Sequence, residues 1–101
     1  MEYSLLDKGT KKHVVFYGNI VPSSRAKFLE MAKNLQTSEQ KQWVLEVDEL
    51  DYIDSAGLGM FIEFNEKAQE SGISVALSGA QGVVKRMFEL SKFNELFEIV
   101  D

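Results

Sequence analysis

The amino-acid sequence predicts an α/β fold: a mixed five-stranded sheet with three main helices packed against it. Three observations carry that expectation. Short β-branched and aromatic runs alternate with segments of helical period, in the order β-β-α-β-α-β-α-β. The intervening helices are long enough for the right-handed crossovers that parallel strands require. Only the first two strands, joined by a short turn, are then expected to pair antiparallel, as a hairpin at one edge. Finally, 101 residues, 45% hydrophobic and 27% charged, suffice for one domain over 1–101 with one core.

Taken in order, Tyr3–Asp7 and His13–Ile20 read as strands joined across Lys8-Gly9-Thr10-Lys11-Lys12, the second rich in β-branched and aromatic residues. Val21-Pro22-Ser23-Ser24 is a turn with helix-starting residues, and Ser24 to about Leu35 has a helical period, Phe28, Leu29, Ala32 and Leu35 sharing a face. Thr37–Lys41 is polar and reads as a loop. Trp43–Val47 is a short, buried strand, and the acidic run Asp48–Asp54 reads as irregular. A second helix runs from Ser55 to about Ser71, closed by Gly72, a residue suited to a left-handed cap. Ile73–Ser78 is a strand, Gln81 to about Ser91 a helix with Val84, Met87 and Phe88 as its core stripe, and Phe97–Val100 a last short strand.

Composition removes several classes of chemistry. No cysteine is present, so disulfides, thiolate metal sites and a cysteine nucleophile are excluded together, in keeping with a reducing cytoplasm. One histidine, His13, cannot supply a multi-histidine metal site. No cofactor is expected. A net charge of −5 argues against direct nucleic-acid binding, which needs clustered cations; Lys8, Lys11 and Lys12 cluster only as solvated charges around a turn. The amino terminus has no basic region followed by an apolar stretch, and no apolar run approaches the roughly 18 residues a membrane helix needs. A soluble, cytoplasmic protein is expected.

The informative segment is Asp54-Ser55-Ala56-Gly57-Leu58-Gly59, at the junction of the acidic loop and the second helix. A helix cap accounts for Asp54 and Ser55. It does not account for two glycines in the first turns, each of which costs a helix about 1 kcal/mol relative to alanine. Glycine there serves if another backbone or a phosphate must come close. As a hydrolase nucleophile Ser55 lacks the spacing of a nucleophile elbow, and only His13 could act as base. No Gly-Lys-Ser/Thr follows, which removes a P-loop. A serine hydroxyl at a helix start is, however, a good phosphoacceptor site, with Asp54 as a repelling neighbour once phosphate is added.

Asp54-Ser55-Ala56-Gly57-Leu58-Gly59 resembles the Asp-Ser-(Ser/Thr/Ala)-Gly-Leu-Gly signature of STAS domains in bacterial anti-sigma-factor antagonists. The resemblance extends to Asp51-Tyr52-Ile53 before it, to Val83-Val84-Lys85-Arg86-Met87-Phe88 in the third helix and to Phe93-Asn94-Glu95-Leu96-Phe97 leading into the last strand. It implies a partner-switching module. The unphosphorylated form would sequester a serine kinase/anti-sigma factor, the kinase would phosphorylate Ser55 and so free itself, and a PPM-type serine phosphatase would reverse the modification. Such a protein is a ligand and a substrate rather than an enzyme. The alternative is a STAS interaction or scaffold subunit without a sigma-factor output.

Two departures from the family pattern stand out. Relatives carry Gly-Glu-Leu-Asp after the second strand where this chain has Gly18-Asn19-Ile20-Val21, so Val21 replaces an acidic residue near the phosphosite. Relatives also continue into a further helix beyond the position of Asp101, so one sheet face is expected to be less covered. Pro22 and Ser23 are expected beside Ser55, because the two segments follow neighbouring strands; Ser23 and Ser24 read as caps. Within the second helix, Leu58, Phe61, Ile62 and Ala68 form a core stripe with Asn65 between them, and Met60 and Phe64 lie on a different arc. That arc is either deeply buried or a partner-facing patch beside Ser55, and the partner-binding expectation includes both residues along with Asp54–Gly59, Pro22 and Ser23.

Overall fold

The computed structural model describes residues 1–100. Strands β1 (Glu2–Lys8) and β2 (Lys11–Ile20) form the antiparallel hairpin, closed by the two-residue turn Gly9-Thr10, where Gly9 adopts φ +68°. A 3-10 turn (Pro22–Ser24), helix α1 (Arg25–Ala32) and a second 3-10 turn (Lys33–Leu35) follow, so the expected single helix has tightened ends. Then come β3 (Gln42–Glu46), β4 (Leu50–Ile53), α2 (Ser55–Glu70), β5 (Ser74–Ser78), α3 (Gly82–Leu90), a 3-10 turn (Phe93–Glu95) and β6 (Glu98–Val100).

The sheet runs β1-β2-β3-β5-β6, with every pairing after the hairpin parallel. It has a sixth strand that sequence reasoning did not anticipate. Part of the acidic run, Leu50–Ile53, pairs parallel with the last three residues of β2, while Lys11–Val15 of the same strand pair with β3. The polar Asp51 and Tyr52 broke the pattern a strand is expected to show. Asp51 is an extra residue in the ladder, a bulge opposite the step from Gly18 to Asn19, and the alternation resumes with Leu50 and Ile53 inward. Gly18, at φ +83°, absorbs the bend.

The helices share one core. Phe28 and Met31 of α1, Phe61 and Phe64 of α2 and Val84 and Phe88 of α3 join Val14, Phe16, Trp43, Leu45 and Leu77 of the sheet in a single buried cluster. The aromatic rings interlock edge to face and stacked, for instance Phe16 with Phe61 at 5.5 Å and Phe88 with Phe93 at 4.9 Å. The opposite sheet face carries less cover. Leu6 and Tyr17 are exposed there, Val15 is half-buried, and His13 and Glu46 share a cross-strand hydrogen bond of 2.9 Å. At the hairpin edge, α1 is tied to β1: Tyr3 donates to Glu30 at 2.7 Å, which pushes the phenol up to about 12, and Lys27 beside Glu2 holds that carboxyl below its usual range. Among the described residues no helix is long and apolar enough to cross a membrane.

Candidate functional site

Strands β2 and β4 end side by side, and their ends build the site. Ile53, at the end of β4, pairs with Ile20, and the next N–H, that of Asp54, donates to the Ile20 carbonyl at 3.3 Å. The chain then turns into α2 with Asp54 extended at the cap position, its Oδ1 accepting from the Gly57 N–H at 2.9 Å. That bond satisfies one of the donors a helix start leaves free. The N–H groups of Ser55 and Ala56, first and second in the helix, have no intrahelical acceptor. Ser55 itself is exposed.

The two signature glycines divide their roles. A Cβ on Gly57 would stand 2.6 Å from the Ile20 carbonyl oxygen and 2.7 Å from Ile53 Cγ1, so glycine here lets the first turn of α2 lie directly on the ends of β2 and β4. A Cβ on Gly59 would meet nothing within 4 Å. Gly57 and Leu58 are buried, and Ala56 and Gly59 half-buried. Of the expected Asp54–Gly59 surface, Gly57 and Leu58 therefore lie beneath it, and the accessible part is Ser55 with Asp54, Ala56 and Gly59 around it.

Pro22 and Ser23 belong to the 3-10 turn that follows Val21. Their 3-10 turn leaves β2 directly after Ile20, touches α2, and leaves both residues exposed. Ser24 is a buried structural residue: its hydroxyl accepts from the Val21 N–H at 3.1 Å and donates to the Asn19 carbonyl at 3.2 Å. Met60 and Phe64 require a correction. They are 5% and 1% exposed and cannot form a partner-facing patch. The helix is flanked as well as backed: Leu58, Phe61 and Ala68 are buried, Phe61 against Phe16 of the sheet, while Met60 and Phe64 fill the seam between α2 and α1, where Phe64 packs edge to face with Phe28 at 6.1 Å. The Arg25–Glu63 ion pair, at 3.1 Å, crosses over that seam.

Tyr52 is a neighbour that sequence reasoning passed over. It is 44% exposed on β4, opposite Asn19 and three residues before Ser55. Beyond its place in the Asp51-Tyr52-Ile53 resemblance, the alternation of Leu50, Tyr52 and Ile53 was its signal, and the bulge obscured it. Asp48, Glu49 and Asp51 are exposed, and the stretch 42–66 contains no lysine or arginine. A dianion on Ser55 would meet backbone N–H donors and the Asp54 carboxylate beside it. His13 pairs with Glu46 on the open sheet face, roughly 20 Å along β2 from Ile20, and is not a base for Ser55.

The family model described as the STAS domain matches residues 11–101. Among solved structures, the anti-sigma factor antagonist SpoIIAA in its unphosphorylated form superposes with a TM-score of 0.80 at 11% identity, covering 99% of this chain and 89% of that one. An anti-sigma factor antagonist from Mycobacterium paratuberculosis gives 0.79 at 17% identity, covering 97% and 83%. The Bacillus cell fate determinant SpoIIAA in its phosphorylated form gives 0.65 at 13% identity, covering 99% and 92%. At these identities the likeness establishes the fold.

Proposed function

This chain belongs to the STAS domain family, and from that premise we propose that it is a cytoplasmic anti-sigma-factor antagonist switched by phosphorylation of Ser55. One observation carries the reading: Ser55 is the exposed first residue of a helix whose cap is already supplied by Asp54, so its hydroxyl is left free. The unphosphorylated protein sequesters a serine kinase/anti-sigma factor over Ser55, Asp54, Ala56, Gly59, Pro22 and Ser23. That kinase phosphorylates Ser55, and a PPM-type phosphatase restores the binding form. The protein is ligand and substrate in this cycle and turns nothing over.

The switch is local. Phosphate oxygens are received by the free N–H groups at the start of α2 and favoured by the helix dipole, so the domain tolerates the charge. A docked partner does not, because it strips water from a dianion set beside Asp54. A penalty of about 3 kcal/mol lowers affinity more than a hundredfold. Calorimetry with the cognate kinase tests this. Phosphorylated protein and Ser55→Asp should bind more weakly, Ser55→Asp less completely because it carries one charge, and Ser55→Ala should bind while resisting phosphorylation. Equal affinity of phosphorylated and unphosphorylated protein would sink the switch and leave an interaction subunit without one.

A further inference from the structure

From the free edge of β1 we infer that two copies of this chain pair through that strand, antiparallel and two-fold about Leu5, into one continuous sheet. β1 is the terminal strand of the sheet, seven residues long with no proline, and all of it precedes residues 11–101 that the family model matches. Such an edge offers a row of unpaired backbone groups to another strand. The hairpin register says which groups. The turn closes on Lys8 and Lys11, so counting back along the ladder, Lys8, Leu6, Ser4 and Glu2 direct their N–H and C=O toward β2, and Asp7, Leu5 and Tyr3 direct theirs outward.

A two-fold centre falls either on an outward-directed residue, as a hydrogen-bonded pair, or on an inward-directed one, as a non-hydrogen-bonded pair. Centred on Leu5, the pairing uses the whole strand: Leu5 meets Leu5 of the second copy, and Tyr3 meets Asp7, as hydrogen-bonded pairs. Glu2 then stands opposite Lys8 of the second copy, and Lys8 opposite its Glu2, in the non-hydrogen-bonded positions where side chains come closest. Leu6, 41% exposed on the open sheet face, reaches diagonally toward its own counterpart. A centre on any other residue of the strand, Ser4 and Leu6 included, shortens the ladder and loses both opposite-charge pairs. The self-complementary charge pattern is therefore tied to the register that the backbone favours. The contact is isologous and uses up the β1 edge, so it closes at two copies. β4 and the Ser55 turn lie on the other side of β2 and stay open.

Analytical ultracentrifugation across about 1 µM to 1 mM tests the pairing, a range spanning the affinities of ordinary transient dimers. Wild-type protein should pass from monomer to dimer. Glu2→Lys and Lys8→Glu should each weaken the dimer by at least about tenfold, because each sets like charges opposite one another twice. The double variant, and an equimolar mixture of the two single variants, should recover it, since both restore opposite charges across the contact. Recovery cannot come from within the chain: Glu2 pairs with Lys27 and Lys8 lies near Glu46, so the double variant breaks both internal pairs. Monomer at every concentration, a dimer indifferent to the single variants, no recovery on combination, or open-ended assembly would each overturn the inference.

Discussion

Gly57 and Gly59 sit two positions apart at the start of one helix and answer to different constraints. The Cβ of an alanine at 57 would press on the Ile20 carbonyl oxygen, which belongs to the backbone and cannot swing aside. Gly57→Ala should therefore destabilise the fold by about 1–3 kcal/mol in spite of alanine's helix propensity. Gly59→Ala meets open space and should stabilise it, by up to about 1 kcal/mol. If the space over Gly59 is where the kinase backbone comes close, Gly59→Ala should weaken kinase binding even as it raises the denaturation midpoint. Urea titrations of the two variants separate these effects. A Gly57→Ala midpoint equal to that of the parent would show that the helix can lift off β2 at no cost.

At the scale of elements, α2 illustrates what a hydrophobic pattern conveys and what it withholds. Its bounds, a cap at Asp54 or Ser55 and its Gly72 stop at φ +70° were legible, because capping and termination are local. The arc holding Met60 and Phe64 was ambiguous, because a helix wheel shows where apolar residues lie and not which neighbour covers them. That neighbour is α1, fixed by tertiary packing. Phe64→Ala should accordingly cost about 3–5 kcal/mol, removing ring contacts to Phe28 and Trp43, and Met60→Ala about 2–5 kcal/mol. Chemical denaturation checks both, and losses below about 0.5 kcal/mol, the range of ordinary surface substitutions, would mean the seam is open in solution. β4 was missed for a related reason. Leu50 and Ile53 are three apart, the spacing of a helix turn, because the bulge at Asp51 adds a residue to a strand that would otherwise alternate. The Ser55 site was legible because its residues are contiguous, whereas Tyr52 depended on the strand that hid it.

At the scale of the whole molecule, the aromatic network decides how the fold comes apart. Trp43 packs on Phe64, Phe64 on Phe28, Phe28 on Phe61, Phe61 on Phe88 and Phe93, and Phe93 on Phe97, so the chain of rings runs from β3 through α1 and α2 to α3 and the approach to β6. The element most inclined to separate is α3. Its amino end has no side-chain cap, its outer face exposes Val83 and Leu90, and Lys92 behind it is held at φ +57°, a conformation that disfavours side chains other than glycine. Against that, Val84 and Phe88 of α3 are 1% and 4% exposed, and freeing them would strip one side of Phe61. Burial of that size outweighs a missing cap, which is worth about 1 kcal/mol. Unfolding should therefore be a single transition. Trp43 is the only tryptophan and is 1% exposed, so its fluorescence reports on the core, while far-UV circular dichroism reports on all the helices together. In thermal melts at dilute concentration the two probes should share one midpoint, with an enthalpy near 70 kcal/mol at about 0.7 kcal/mol per residue. A dichroism loss that precedes the fluorescence change would show α3 leaving first and would refute the single-core account.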